Sequence, residues 1–579
     1  MKNHTLKRLF GYLKFHRLRL FFVLLFAAVS TVFTVMAPFV IGKVTTTLFD
    51  SIKDGVFYWE NIVWLLSALI FLYLTSQFFS FLQGFHMAKI TSNVIHEIRS
   101  DIDKKMHKLK LNYYDTHTHG DILSIITNDV DTISNTISQN LTSIVTQVIT
   151  AVGILFMMLS ISPKLTLIPV IMVPLSLLSA AGVMKSGGKH YERQQALLGE
   201  LNGYIEEMYN GQQIVQAFSY QNKATEQFHA LNEALKSSSY KAETTAGAVS
   251  PITTFVNDMG YVTCALIGCL RAVGGFIAIG NVQAMLEYTR QFAEPFSSLA
   301  GMAGTFGAAK AAGDRIFALL DAEEELPEAE NTVVPEERSG SVTFQNVQFG
   351  YTKDRLLMKD VNLTVKPGQK VAIVGPTGAG KTTLINLLMR FYEVNSGAIS
   401  VDGVNIKDMS REELRSRFGM VLQDTWLFEG TIADNLGYAA ENMDRDSIIA
   451  AAKSACAHNF IKTLPDGYDM KLSKGAENIS QGDRQLLTIS RAFASDPEIM
   501  ILDEATSNVD THTEILIQRA MTQLMKDRTS FVIAHRLSTI RDADMILYME
   551  DGDIKEIGTH DELMKRGEKY AALYNSQFA

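Results

Sequence analysis

Six long apolar segments dominate the first half of the chain. Each is about 20 residues long, which is the length of helix that crosses the hydrocarbon core of a bilayer. They lie at residues 20–42, 61–83, 138–160, 163–184, 249–273 and 282–304. The first four contain almost no charge, whereas the last two carry several charged residues. The pattern predicts six membrane-spanning helices within a domain at residues 19–320.

The polar segments between these runs fall into two groups. Those at 43–60, 161–162 and 274–281 are short, whereas those at 84–137 and 185–248 are much longer. We expect the two long segments to be helices that continue beyond the membrane, because they are too long for simple loops.

The first 18 residues predict an amphipathic helix on the inner membrane surface. Six basic residues occur among the first 19, and no acidic residue precedes Asp50. Apolar side chains recur at the spacing of one helix face: Leu6, Leu9, Phe10, Leu13 and Phe15. A signal peptide is the alternative, but no small-residue cleavage site is evident. Six spans return the chain to its starting side, so the basic N-terminus places both ends of the membrane domain in the cytoplasm.

Charged residues within the last two spans are the main irregularity of this domain. They are Asp258, Arg271, Glu287, Arg290 and Glu294. Intramembrane charges normally face a bundle interior or a watery cavity. Two interpretations stay open here: the charges line a cavity, or they pair with each other and only fix helix packing.

Composition supports a membrane part joined to a soluble part. Of 579 residues, 47% are hydrophobic and 20% are charged. The net charge of −9 argues against a nucleic-acid partner bound by phosphate neutralisation. Three cysteines form neither a disulfide framework nor a zinc pattern. Residues 321–340 are rich in acid and predict a solvated linker, after which strand and helix patterns alternate over 341–579.

A phosphate-binding loop follows a short β-branched run at residues 371–374. The sequence GPTGAGKT at 375–382 matches G-x-x-x-x-G-K-[ST] in its strand–loop–helix context. Its glycines let backbone amides approach a phosphate, and the next helix presents its N-terminus to the anion. Lys381 would reach the outer phosphates, and the Thr382 hydroxyl would bind Mg²⁺. Taken alone, this motif also fits kinases and GTPases.

A second apolar strand, at residues 499–502, ends in a pair of acids. Such a position puts a carboxylate at the carboxyl edge of a parallel sheet, where ligands bind. We expect Asp503 to hold Mg²⁺ and Glu504 to polarise an attacking water as general base. An exposed acidic turn is the alternative for this pair considered by itself.

Several further elements, in order and spacing, resemble the ATP-binding cassette (ABC) transporters. Tyr351 matches the aromatic residue that stacks on adenine, and Gln423 matches the glutamine that contacts Mg²⁺ and senses the membrane domain. Residues 507–510 match the D-loop, and His535 matches the switch histidine that contacts the γ-phosphate.

This resemblance covers nearly the whole chain. It implies an α-helical six-span membrane domain fused to an α/β P-loop NTPase cassette with a mixed sheet core and a helical subdomain, which is the layout of an exporter half-transporter. Residues 113–121 and 211–220 resemble the stretches that carry the coupling helices. ATP and Mg²⁺ are the implied cofactors. The implied nucleotide-binding residues are Tyr351, Gly375, Pro376, Thr377, Gly378, Ala379, Gly380, Lys381, Thr382, Thr383, Ser480 and Gly482, the metal residues are Thr382, Gln423 and Asp503, and the catalytic residues are Glu504, His535 and Gln423.

One motif departs from the family pattern. The signature Leu-Ser-Gly-Gly-Gln is replaced by ISQGD at residues 479–483. Gln481 adds a side chain where glycine allows close approach, and Asp483 puts a carboxylate beside an anionic ligand. In this family the signature of one cassette completes the ATP site of the other. The chain would therefore contribute a complete phosphate loop to one site and a weakened signature to the second.

This asymmetry resembles the glutamate-retaining subunit of heterodimeric bacterial multidrug exporters. The implied partner is a different half-transporter, and the implied cargo is a hydrophobic small molecule or lipid moved across the cell membrane by ATP hydrolysis. Alternatives are a homodimeric lipid or peptide exporter and, from another class, an ATP-gated channel or regulator. The retained Glu504 and His535 favour turnover over gating.

Overall fold

The computed structural model describes residues 4–329, 331–352, 355–422, 425–438, 443–503, 509–534 and 540–578. They divide into two compact units. One comprises Met1–His107 and His117–Ala322, and the other comprises Lys108–Thr116 and Glu323–Ala579.

Helices make up the first unit. In chain order up to the linker they are α1 (His4–Leu13), α2 (Arg17–Asp54), α3 (Trp59–Met106), α4 (Leu111–Thr116), α5 (His119–Ser124), α6 (Val130–Asn135), α7 (Leu141–Ile161), α8 (Pro163–Asn210), α9 (Gln212–Ala217), α10 (Gln221–Val273), α11 (Ile279–Phe292) and α12 (Glu294–Leu320). Of these, α4 belongs to the second unit. Two π-helical turns, Ile125–Asp129 and Thr136–Asn140, connect α5, α6 and α7.

The long helices explain the long polar segments of the sequence. Both α3 and α8 have 48 residues, and α10 has 53. At 1.5 Å per residue these helices are about 70–80 Å long, whereas the bilayer core is about 30 Å thick. The prediction that residues 84–137 and 185–248 are mainly helical is therefore confirmed, and the short helices α4 and α9 overlap the two predicted coupling stretches.

Four helical stretches in the described chain are long and apolar enough to cross a membrane. They are Lys7–Asp54, Trp59–Met106, His119–Ile161 and Pro163–Asn210. They contain the first four predicted spans. The fifth predicted span lies in α10 and the sixth in α11 and α12, and these helices are not among the four.

The N-terminal helix packs against the end of the membrane domain. Leu9 and Leu13 of α1 are buried, and Gly313 of α12 faces Leu9 at close range. The Arg8 guanidinium pairs with Asp321 and lies 4.2 Å from the ring centroid of Phe317. The predicted apolar face is thus divided, because Leu9 and Leu13 contact protein while Phe10 and Phe15 stay exposed.

Helices α2 and α11 approach each other through glycines. A Cβ atom added to Gly280 would lie 1.6 Å from the Gly42 carbonyl oxygen, so only glycine fits there. The hydroxyl of Tyr288 donates to the Val35 carbonyl oxygen at 2.7 Å, which joins the same two helices deeper in the bundle. Small residues and buried polar bonds are the usual means by which membrane helices associate.

The charges of the sixth predicted span do not form the pairs considered from the sequence. Arg290 and Glu294 are exposed on this chain, and Glu287 accepts a hydrogen bond from Gln291 at 2.7 Å. Among the described residues no ion pair joins Arg290 to either glutamate. The helix is interrupted at this level, since α11 ends at Phe292 and α12 begins at Glu294, just before Pro295.

The second unit is an α/β cassette, and its described residues form three sheets. Its strands are β1 (Val342–Phe349), β2 (Met358–Val365), β3 (Lys370–Val374), β4 (Ser396–Val401), β5 (Val404–Asn405), β6 (Phe418–Val421), β7 (Gly430–Thr431), β8 (Lys471–Leu472), β9 (Ile499–Asp503), β10 (Thr529–Ile533), β11 (Met545–Glu550) and β12 (Asp553–Gly558). Its further helices are α13 (Lys381–Leu388), α14 (Arg411–Ser416), α15 (Ile432–Gly437), α16 (Arg445–Ser454), α17 (His458–Thr463), α18 (Gln481–Ser495), α19 (Thr511–Leu524), α20 (His560–Arg566) and α21 (Lys569–Phe578).

The central sheet is mixed, as predicted. Its order is β12-β11-β3-β10-β9-β6, with only β12 antiparallel to its neighbour. Strand β10 is buried along its whole length, and β3 and β9 are buried except at one terminal residue each, which is typical of parallel strands covered on both faces. The order β2-β1-β4-β5 forms a separate antiparallel sheet, and β7 pairs with β8. Helices α15–α18 form the helical part between β6 and β9.

The acidic linker is partly anchored to the cassette. Arg411 of α14 donates to the Leu326 carbonyl oxygen at 2.9 Å and pairs with Glu325 at 3.2 Å. The Glu325 amide donates to the Lys108 carbonyl oxygen at 2.8 Å, which holds the segment just before α4 beside the linker. The predicted linker is mostly exposed, and these contacts fix the position of Glu325 and Leu326 within it.

Candidate functional site

The phosphate loop has the backbone shape that its glycines predict. It joins β3 to α13, and Gly375, Gly378 and Gly380 have positive φ of 152°, 82° and 94°. A Cβ atom on Gly375 would lie 2.2 Å from the Met549 carbonyl oxygen of the neighbouring strand β11. The loop therefore needs glycine at 375 for both conformation and space.

Lys381, the first residue of α13, lies folded over the loop. Its Nζ donates to the carbonyl oxygens of Gly375 at 2.8 Å and Pro376 at 3.0 Å. Burial lowers the pKa of Lys381, while the nearby Asp503 carboxylate acts in the opposite direction. A lysine held at the helix N-terminus, above backbone amides, fits an anionic phosphate chain.

The metal-binding positions fit Mg²⁺ by their donor type. Thr382 is exposed next to Lys381, and Asp503 ends β9 at the carboxyl edge of the central sheet. A hydroxyl and a carboxylate are the oxygen ligands that Mg²⁺ takes when nucleotide phosphates and water complete its shell.

An aromatic group lies beside α13, the helix that follows the loop. The Tyr351 ring is half exposed, and its hydroxyl shares a hydrogen bond of 2.8 Å with that of Thr383 in α13. Its centroid lies 5.0 Å from that of buried Phe349 and 5.2 Å from that of Tyr392, both edge to face. The ring is fixed on one side and open on the other, as stacking on a base requires.

Three sequence-predicted catalytic residues, Gln423, Glu504 and His535, lie outside the described residues, as do Ser507 and Asn508 of the D-loop. Their flanking strands are described. β6 ends at Val421, β9 at Asp503 and β10 at Ile533, and these three strands are adjacent and parallel. Each of the three residues therefore follows, within two residues along the sequence, the carboxyl end of one of these strands. Asp503 lies at the same edge of the sheet.

The signature region caps the helix that follows it. Ser480 is the N-cap of α18, and its Oγ accepts from the Asp483 amide at 3.1 Å and donates to the Asp483 carboxylate at 2.7 Å. Gln481 is exposed, whereas Gly482 is buried against α19, where a Cβ would lie 2.5 Å from Thr513. Gly482 is thus required for packing, and the Ser480 proton is already engaged.

One residue of this region, Tyr392, was not singled out from the sequence, whereas its partner Asp115 lies in the predicted coupling stretch 113–121. Tyr392, just after α13, contacts the Tyr351 ring and donates to the Asp115 carboxylate of α4. They lie 277 residues apart in sequence, so no local pattern links them.

Family comparison agrees with both units. Residues 20–296 match the ABC transporter transmembrane region, and residues 358–507 match the ABC transporter cassette. The chain belongs to the ABC transporter family. An uncharacterized ABC transporter ATP-binding protein of Bacillus subtilis, YfiC, is 40% identical over 574 residues, covering 99% of this chain and 94% of YfiC.

Two other similar proteins are informative. The fatty acid ABC transporter ATP-binding/permease protein of Mycobacterium bovis is 44% identical over 501 residues, which are 86% of this chain and 79% of that protein. The structure of a bacterial Atm1-family ABC exporter with ATP bound superposes with a TM-score of 0.75 at 26% identity, covering 97% of this chain and 98% of that one.

These findings confirm the main interpretation of the sequence. The chain is a membrane-embedded ABC exporter half-transporter, whose cassette binds ATP and couples its hydrolysis to transport. Such halves work as dimers.

Proposed function

We propose that this chain is the glutamate-retaining half of a heterodimeric exporter that moves hydrophobic compounds, of the multidrug type, out across the cell membrane. The N-terminus and the cassette lie in the cytoplasm. The partner is a different half-transporter, with an ordinary signature and a substituted base.

In the proposed site each residue has one task. The loop from Gly375 to Thr383 binds the phosphates through its amides, and Lys381 contributes the positive charge. Tyr351 stacks on adenine. Glu504 orients and deprotonates water, and His535 contacts the γ-phosphate.

Thr382, Asp503 and Gln423 would hold Mg²⁺ in the same site. When bound, the ion would supply positive charge that neutralises the nucleotide phosphates. The open hydroxyl of Thr382 and the strand-end position of Asp503 support this assignment.

The Ser480–Asp483 hydrogen bond is the observation that carries the heterodimer proposal. In the composite site formed with the partner's phosphate loop, a signature serine would donate to the γ-phosphate. Here its proton is donated to Asp483 at 2.7 Å instead, and a carboxylate stands beside the anion. A lost hydrogen bond to a charged group weakens binding, and like charges add to that loss. Two such signatures in a homodimer would weaken both sites, so one weak and one strong site is favoured.

Hydrophobic cargo is supported by the fatty acid transporter that shares 44% of its aligned residues with this chain. This relative also favours a second candidate, a dedicated exporter of single-chain lipids. The two candidates differ in the range of substrates that they transport, since a multidrug exporter accepts unrelated hydrophobic cations as well as fatty acids.

Transport in inside-out vesicles tests the proposal. The chain is purified from its native membrane, and its partner is identified by mass spectrometry. Vesicles that contain the pair receive ATP with a lipophilic cationic dye or a fluorescent fatty acid. We expect ATP-dependent accumulation of both probes and none with Glu504→Gln. Accumulation of the fatty acid alone would support the second candidate, and a fully active homodimer would refute the heterodimer.

A further inference from the structure

Tyr392 connects the adenine side of the nucleotide site to α4. Its ring lies edge to face with Tyr351, with centroids 5.2 Å apart, and edge to face with Phe349 at 5.7 Å. Its hydroxyl donates a hydrogen bond to the carboxylate of Asp115. One side chain therefore contacts both the ring proposed to carry the base and a residue of the short helix.

The two ends of this connection are held differently. Phe349 is buried in β1 and packs against the rings of both Tyr351 and Tyr392. Asp115 is exposed, as is Asn112 of the same short helix, whereas Tyr113 and Tyr114 are half-buried. The segment before α4 is anchored, because Leu109 forms a β-bridge with Glu324. The Asp115 end is thus the more exposed end of this connection.

The hydroxyl of Tyr392 keeps its proton under physiological conditions. Burial, reinforced by the Asp115 carboxylate that accepts its hydrogen bond, raises the pKa of Tyr392 well above the ordinary range of tyrosine. The bond is therefore a donor–carboxylate contact of the stronger, charge-assisted kind.

A base on Tyr351 would change the first link of this chain of contacts. The Tyr351 hydroxyl is already tied to Thr383 at 2.8 Å, so a stacked base would hold the ring from its open side as well. Restricting Tyr351 restricts the Tyr392 ring that packs against it, and through it the hydroxyl bonded to Asp115. A ligand shifts a distant element only through contacts that differ between the states, and these contacts supply such a difference.

We propose that Tyr392 is a positioning residue that transmits occupancy of the adenine site, rather than of the phosphate loop, to α4 through its hydrogen bond to Asp115. This inference rests on the proposed role of Tyr351 in binding the base. Phosphates would fill the loop, while the base would order the segment that carries Asp115.

Hydrogen–deuterium exchange of the full-length chain in lipid nanodiscs tests the inference. Two probes are compared: AMP-PNP, which has adenine, and inorganic tripolyphosphate, which lacks it. We expect AMP-PNP to slow amide exchange in both 375–383 and 111–116. Tripolyphosphate is expected to slow exchange in 375–383 only.

Variants then identify the atoms involved. With Tyr392→Phe or Asp115→Ala, AMP-PNP should still protect 375–383, while its protection of 111–116 falls about fivefold, the size of a modest coupling. The double variant should lose no more than either single one, because both remove the same bond. Asp115→Asn keeps an acceptor oxygen and should retain most of the protection.

Tyr570→Phe is the matched control. It also removes a tyrosine hydroxyl from the cassette, one that is bonded to His560 at 2.8 Å, and it should change neither segment. Equal protection of 111–116 by tripolyphosphate and AMP-PNP, or unchanged protection in Tyr392→Phe, would overturn the inference while leaving the nucleotide site intact. Failure of both probes to protect 375–383 would instead refute the proposed nucleotide site, and the inference with it.

Discussion

The hydroxyl of Ser480 donates its hydrogen bond to the carboxylate of Asp483, 2.7 Å away, within the first turn of α18. The pair caps its own helix and leaves the serine oxygen facing the Asp483 amide. A residue that stabilises a helix end in this way is poorly placed to donate to a phosphate on another chain.

Restoring the signature should therefore strengthen ATP binding at the second site of the assembled pair, and it should raise turnover only if the signature limits that site. The double change Gln481→Gly and Asp483→Gln frees the serine proton and removes the carboxylate. We expect ATP affinity at the second site to rise about tenfold, the value of one hydrogen bond to a charged group. Titration with a fluorescent ATP analogue measures the affinity, and steady-state ATPase assays on the reconstituted pair measure turnover. Asp444→Ala, which removes the N-cap side chain of α16, is the control for cap loss alone. An unchanged rate would show that the signature does not limit that site.

Removing the proposed base should separate hydrolysis from binding. With Glu504→Gln we expect ATP hydrolysis to fall about 10²- to 10⁴-fold, the usual contribution of a general base. Binding of a fluorescent ATP analogue should stay within twofold of the unaltered chain, as judged by titration. Glu568→Gln, an exposed glutamate ahead of α21, serves as control. Undiminished hydrolysis would remove Glu504 from the mechanism.

The phosphate loop should not tolerate a side chain at position 375. In Gly375→Ala the new Cβ would stand 2.2 Å from the Met549 carbonyl oxygen, at a φ that alanine rarely adopts. Backbone strain of this kind costs about 1–3 kcal/mol, so thermal unfolding should shift downward and ATP affinity should fall. Gly437→Ala is the comparison, because its Cβ would meet only ordinary contact with Ile448. Equal melting temperatures and ATP affinities in the two variants would contradict the close approach of Gly375 to the Met549 carbonyl oxygen.

The buried Arg417–Asp402 pair should make cassette stability depend on acid pH. The Arg417 side chain is fully buried, 2.9 Å from Asp402 and 2.8 Å from Glu413. Burial alone would raise the pKa of Asp402, but hydrogen bonds from Ser339, Gly340 and Ser341 outweigh it and keep the pKa below the ordinary value.

A depressed carboxyl pKa stabilises the fold above its unfolded value and loses that effect as the pH falls through the folded value. Asp402→Asn should therefore cost about 3 kcal/mol of unfolding free energy at neutral pH. The difference from the unaltered chain should shrink below about pH 4, near the unfolded carboxyl pKa. Denaturant titrations at several pH values measure it, with Asp469→Asn at an exposed pair as control. A cost that does not vary with pH would exclude ionisation of Asp402 as its cause.

Local chemistry explains which features the sequence could predict. The phosphate loop was predictable because its glycines and Lys381 act through the backbone of one short stretch. The Ser480–Asp483 bond also had a local signal, since serine followed three residues later by an acid is an N-terminal capping pattern. The contacts of Arg411 with the linker and of Tyr392 with Asp115 had none, because their partners are brought together only by the fold. Glu294-Pro295 gave a partial signal for the helix break at Ala293.

The chain enters its nucleotide-binding unit twice, once through the segment around α4 and again after Glu323. A fragment cut at residue 341, where the strands begin, would therefore leave Arg411 without Glu325 and Tyr392 without Asp115. Such a truncated domain would keep its phosphate loop and the Arg411–Glu393 pair, but the hydroxyl of Tyr392 beside the proposed adenine site would have lost its acceptor, so its nucleotide binding would not represent that of the intact half-transporter.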